Sequence, residues 1–214
     1  MPPIPRATPR SLALAAATLR ASDPAIGAVI DRVGPCTMHR ARRRGSHFEH
    51  LASVIVSQQL SGKAAGTIYG RFEALFPDQT PDARRLTRIT DLRLREVGLS
   101  RQKVAAIRDL ASHVRAEALP LDRIDTMPDD EVIASLTQVR GIGRWTAQMF
   151  LMFRLGRLDV WPELDLGVQK GAQRILGLRR LPDHKVTAAL GARWAPYRSV
   201  AAWYCWRALE LEGS

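Results

Sequence analysis

The chain has 214 residues, 46% of them hydrophobic and 25% charged, with 32 basic against 21 acidic side chains, a formal net charge of +11 and a sequence pI near 10.9. This length can bury a substantial core as one large domain or two small ones. The positive balance favours a polyanionic partner such as nucleic acid, and the two distant cysteines, Cys36 and Cys205, lack the Cys-x-x-Cys spacing of an iron–sulfur or structural zinc site, so no metal is expected.

Along the chain a capping residue, an amphipathic run and a Gly or Pro stop recur with little strict alternation, which predicts an all-α fold. The start, Met1-Pro2-Pro3-Ile4-Pro5, lacks an apolar signal core, and no run approaches the ~20 apolar residues of a membrane helix. A cytoplasmic location with reduced thiols and no membrane association is therefore expected. Thr8-Pro9 and Asp23-Pro24 each read as an N-cap followed by proline at the first helical position, opening helices through about residues 19 and 33. Gly34-Pro35 stops the second, and residues 40–44 form a basic connector. Ser46-His47-Phe48-Glu49 has capping-box spacing and opens a helix to about residue 58, with Leu51, Val54 and Ile55 on one core-facing side. After a bend at Gln58-Gln59-Leu60, helix resumes over 62–76 until Pro77. Short helices are predicted near Asp82 and Asp91, a longer one over 101–116, a loop over 119–127, and helices over 129–138 and 144–155. Asp165 caps the next helix, and Pro182 and Pro196 precede the last two.

Between the helices 129–138 and 144–155 lies the turn Val139-Arg140-Gly141-Ile142-Gly143. Its glycines permit backbone angles closed to other residues and let a phosphate approach the amides that open the next helix, with Ile142 plugging the turn into the core. The arrangement Leu136-x-x-Val139-x-Gly141-Ile142-Gly143-Arg144-Trp145-Thr146-Ala147, with Ser57-Gln58-Gln59-Leu60-Ser61 upstream and Asp159-Val160 and Asp165 downstream, closely resembles the helix-hairpin-helix DNA glycosylase superfamily. Within it the 3-methyladenine DNA glycosylase II branch is nearest, and the resemblance runs from about residue 48 to about 206.

The resemblance implies two helical subdomains with the active cleft between them: residues 1–45 packing with 161–214, and a central domain, 46–160, carrying the hairpin. It also implies a monomeric enzyme without a cofactor that acts on double-stranded DNA containing alkylated bases of the 3-methyladenine and 7-methylguanine type. Asp165 matches the acid of the family motif. Cleaving an N-glycosidic bond builds positive charge on the deoxyribose, so a carboxylate beside C1′ can stabilise that charge and orient a water. Asp is also a preferred N-cap whatever the function, and both roles can hold at once. Asp159 reads as structural and Glu163 as surface.

Trp145 stands where lyase-competent relatives carry a lysine, which implies water as the nucleophile and an intact strand bearing an abasic site. Trp145, Trp206, Phe48 and Met149 match positions lining the family's base pocket, where an electron-rich face can attract a cationic purine. Met149 departs from the aromatic found in a related pocket, and core packing is an equal reading for Phe48 and the preferred one for Trp203 and Tyr204. Gln59 falls where relatives place the wedge that fills the vacated stack, while Gln58 reads as a local support of the bend. Phosphate contacts are implied for Gly141, Gly143, Arg140, Arg144, Arg101 and Lys103, and Lys170 reads as phosphate-binding or solvated. His47 and His50, three apart without further ligands, read as solvated or bridging to backbone. The alternatives are a non-enzymatic helix-hairpin-helix DNA-binding module, which leaves Asp165, Trp145 and Gln59 unexplained together, and a bifunctional glycosylase/lyase, which lacks its lysine.

Overall fold

The computed structural model describes residues 6–41 and 45–211. Met1-Pro2-Pro3-Ile4-Pro5 and positions 42–44 of the basic connector lie outside the described residues. Among those described the architecture is all-α, with an isolated antiparallel bridge between Arg6 and Arg157 and no strand. The helices are α1 (Pro9–Ser22), α2 (Pro24–Val33), α3 (His47–Ser57), α4 (Gly62–Glu73), α5 (Ala83–Leu86), α6 (Asp91–Glu96), α7 (Arg101–Arg115), α8 (Asp129–Thr137), α9 (Arg144–Met149), α10 (Leu166–Ile175), α11 (His184–Gly191) and α12 (Arg198–Glu210). No helix of the described residues is long and apolar enough to cross a membrane.

The starts follow the local chemistry of the caps. Thr8 and Asp23 accept from backbone amides of α1 and α2 with Pro9 and Pro24 at the first helical position, and Ser46 and Glu49 form a reciprocal capping box on α3. Ser61, Asp82, Thr90, Ser100, Asp165 and Asp183 cap α4, α5, α6, α7, α10 and α11 in the same way. The ends are less local. α4 stops at Glu73 rather than Phe76, and Phe76 turns back to pack edge-on against Phe72 with ring centroids 5.1 Å apart. The predicted loop over 119–127 holds a short 3₁₀ turn, Ile124–Thr126. The single helix expected over 144–155 is instead α9 followed by a π-helical segment, Phe150–Leu155, where the burial of Phe150, Leu151, Met152, Arg154 and Leu155 is denser than one α-helical stripe supplies. In α3 Leu51 and Ile55 are buried as expected but Val54 is only half-buried, while Phe48, Ala52, Ser53 and Val56 are buried as well in a helix that packs on α4 and α7.

The chain divides into two helical units, one drawn from 1–42 and 148–214 and the other from 43–147. The expected limit at 160 is corrected: residues 148–160 belong with the terminal helices. They are stitched there by Ala7 N donating to Gly156 O, Ser199 N to Leu158 O, Val160 N to Ser199 Oγ, and by a two-toothed ion pair between Arg198 and Asp159. In this unit α12 packs between α10, α1 and α2. Asp23, the buried cap of α2, also accepts from Arg193 Nε and Trp194 Nε1 at 2.9 Å each, which compensates its charge for the loss of water. The other unit packs α3 with α4 and α7, and α7 in turn carries α5 and α6.

Candidate active site

The hairpin follows α8 in the unit 43–147 and is anchored by its apolar residues, since Leu136, Val139 and Ile142 are all buried and Ile142 is only 3% exposed. Val139 N donates to Leu136 O, Ile142 N to Val139 O, and Ala147 N to Gly143 O, so the chain enters α9 directly from Gly143. The two glycines differ. Gly141 has φ +81°, a conformation that strains any side chain. Gly143 has no such angle, and a Cβ added there would meet nothing within 4 Å. The expectation that both glycines serve the backbone is thus corrected: Gly141 makes the turn, whereas Gly143 leaves the first amides of α9 open to approach. Two further groups brace the turn. Asp109 Oδ2 accepts from Arg140 N at 2.7 Å and Gln58 Nε2 donates to Gly141 O at 2.8 Å. Asp109 carried no motif, being one acidic residue within an amphipathic helix.

Gln58 was expected to act locally, yet its partner lies 83 residues away. Next to it Gln59 is exposed at the apex of the bend with φ +58°, a left-handed backbone that costs a non-glycine residue about 1 kcal/mol or more. Lys103 reaches the same bend. Its Nζ donates to Val56 O at 2.6 Å and Gln58 O at 2.8 Å, closing the carbonyl end of α3, and desolvation lowers its pKa from the ordinary lysine value. It braces the bend from the side of α7. Arg101, Arg140 and Arg144 are exposed, as is Trp145 at 45%, while Phe48 is buried at 5%. His47 Nε2 lies 3.1 Å from Asp125 Oδ2, a carboxylate partner that the sequence reading did not anticipate. No group of three or more His, Cys, Asp or Glu among the described residues is placed to hold a metal ion.

In the unit formed by the terminal segments, Asp165 caps α10. Its Oδ1 accepts from Val168 N at 2.8 Å and from Trp206 Nε1, also at 2.8 Å. Trp206, read from sequence as a pocket aromatic, is half-buried, with its N–H on this carboxylate and its ring stacked on Phe153 at 5.8 Å and 29°. Met149 is half-buried and Lys170 exposed. Glu163 is not a plain surface carboxylate: the buried Gln148 donates from Nε2 to Glu163 Oε2 at 2.8 Å and to Trp161 O at 3.0 Å. Trp203 and Tyr204 are buried, with the Tyr204 hydroxyl on Gly34 O. Both thiols are free and buried; burial pushes Cys36 up to about 11, and burial together with the nearby Asp165 charge raises Cys205 further. Phe153 and Gln148 escaped the sequence reading because an apolar run and a lone glutamine near a helix end carry no chemical pattern.

Residues 52–196 match the HhH-GPD superfamily of base excision DNA repair proteins. DNA-3-methyladenine glycosylase 1 of Schizosaccharomyces pombe is 30% identical over 185 residues, spanning 86% of this chain and 81% of that protein. Among solved structures, DNA-3-methyladenine glycosidase from Bacillus halodurans aligns with a TM-score of 0.84 and 37% identity over 92% of this chain and 89% of its own. The S. pombe 3-methyladenine DNA glycosylase in complex with abasic DNA aligns with a TM-score of 0.75 and 29% identity, over 90% of this chain and 95% of that one. With the hairpin, the capped Asp165 and this extent of agreement, the chain belongs to the HhH-GPD superfamily of base excision DNA repair proteins.

Proposed function

We propose that the protein is a monofunctional DNA glycosylase that flips alkylated bases of the 3-methyladenine and 7-methylguanine type out of double-stranded DNA and removes them by hydrolysis. The observation that carries this reading is Asp165, the carboxylate at the family's catalytic position, held at the head of α10 by donors from two helices. The hairpin amides and exposed arginines grip phosphates, Gln59 fills the vacated stack, and the exposed Trp145 offers its face to a cationic base. An alkylated purine is already an activated leaving group, so charge stabilisation on the sugar side suffices. Asp165 supplies it and orients the attacking water. Trp145 occupies the position at which a lysine would form a Schiff base, so the strand is left intact. The enzyme works as a cytoplasmic monomer on this reading.

Asp165→Asn is the test. Asparagine caps helices as well as aspartate, so α10 keeps its start while the charge is lost. Single-turnover excision from a 7-methylguanine duplex should fall about a hundred- to a thousandfold, with lesion binding retained. Excision at the wild-type rate would refute the assignment, and borohydride trapping of a covalent adduct by the wild type would replace hydrolysis with lyase chemistry.

A further inference from the structure

We propose that Trp206 is a positioning residue for Asp165, its indole N–H setting the plane of the carboxylate that faces the sugar; the inference rests on the catalytic reading of Asp165. An N-cap aspartate takes one bond from the third amide of its own helix, here Val168 N at 2.8 Å. That bond alone lets the carboxylate swing about Cβ–Cγ. A second donor on the same oxygen, Trp206 Nε1 at 2.8 Å, comes from α12 and removes that freedom. The donor is itself held, because one face of the ring stacks on Phe153 of the π-helical segment.

Two glycines on one face of α10 make the meeting possible. A Cβ at Gly167 would lie 2.7 Å from Trp206 Cδ1, 2.9 Å from Nε1 and 3.0 Å from Asp165 Oδ1. One turn further on, a Cβ at Gly171 would lie 2.3 Å from Cys205 O. Residues four apart share a helix face, so α10 presents a side-chain-free strip to residues 205 and 206 of α12. Gly171 allows the backbones to close, and Gly167 leaves room between the carboxylate and the indole. An aromatic serving only as a platform for a base needs neither an N–H partner nor a glycine opposite its edge.

Trp206→Phe keeps an aromatic ring but no donor. Measured under single turnover, excision should fall about ten- to a hundredfold, the penalty for misplacing a reacting group, while affinity for the lesion duplex stays within about twofold. The factor should be the same for 7-methylguanine and 3-methyladenine, and in an Asp165→Asn background Trp206→Phe should slow excision no further. Gly167→Ala, which favours helix and intrudes on the same contact, should reproduce the loss with an unchanged circular dichroism spectrum. Wild-type rates in both variants, a loss that differs between the two lesions, or a loss that multiplies with Asp165→Asn would each overturn the proposal. Undiminished excision by Asp165→Asn itself would overturn the catalytic reading, and this one with it.

Discussion

Gln58 donates its side-chain amide to the carbonyl of Gly141 at 2.8 Å, joining the bend after α3 to the left-handed residue of the hairpin. The bend carrying Gln59 and the turn carrying Gly143 are therefore joined by this hydrogen bond, while Arg140 N on Asp109 and Lys103 Nζ on Gln58 O tie the turn and the bend to α7. Gln58→Ala removes the first. It should lower thermal stability by about 1 kcal/mol and weaken binding to damaged and undamaged duplexes alike, because the hairpin amides lose their fixed direction. Thermal melts and fluorescence anisotropy on both duplexes test this, and unchanged affinity would detach the bend from the grip.

The unlike glycines of the hairpin predict unlike mutants. Gly143→Val should fold, since its Cβ has no neighbour within 4 Å and its φ is ordinary, yet block phosphate approach and weaken binding to both kinds of duplex. Gly141→Val should instead lose stability by about 1 kcal/mol or more, because φ +81° is closed to a β-branched residue. Circular dichroism melts separate the two; a Gly143→Val protein that is folded and binds normally would refute the phosphate-grip role.

Lys103 and Arg101, alike in a charge count, should separate under salt. Lys103→Met leaves the carbonyls of Val56 and Gln58 without their donor and should cost about 1–3 kcal/mol of stability. Arg101→Ala should leave stability nearly unchanged while reducing the slope of log affinity against log salt by about 1, the signature of one lost phosphate contact. Anisotropy titrations over a salt series, paired with melts, decide between these assignments. An Arg101→Ala slope equal to wild type would remove it from the interface.

Gln59 and Trp145 should differ by substrate. If Gln59 fills the vacated stack, Gln59→Ala slows excision more from a well-paired duplex than from a single strand or a duplex with an abasic site opposite the lesion, where flipping costs less. Trp145→Ala should impair all three, because stacking follows flipping. The backbone adds a control: Gln59→Gly relieves φ +58° and should raise stability by a few tenths of a kcal/mol up to about 1, while slowing paired substrates as Gln59→Ala does. Equal losses on every substrate for Gln59→Ala would exclude the wedge.

Much of this architecture was legible in the sequence because its cues are local. A Ser, Thr or Asp before a helix, proline at the first position, and apolar residues at turn spacing act within four or five residues, so the starts of α1, α2, α3, α7 and α10 and the buried hairpin residues Val139 and Ile142 stand where the sequence put them. Asp165 was legible for the same reason, as a cap within a spaced motif. What the sequence could not determine is which partner a polar side chain takes across a long stretch of chain. Lys103 closes α3, Gln58 braces Gly141, Gln148 holds Glu163, and Trp206 directs its N–H to Asp165, each through a hydrogen bond only a few ångströms long between residues 15 to 83 positions apart. Such bonds depend on where separate helices come to rest, and that is decided by packing: the glycine strip of α10 against α12, and the burial of 148–160 with the terminal helices.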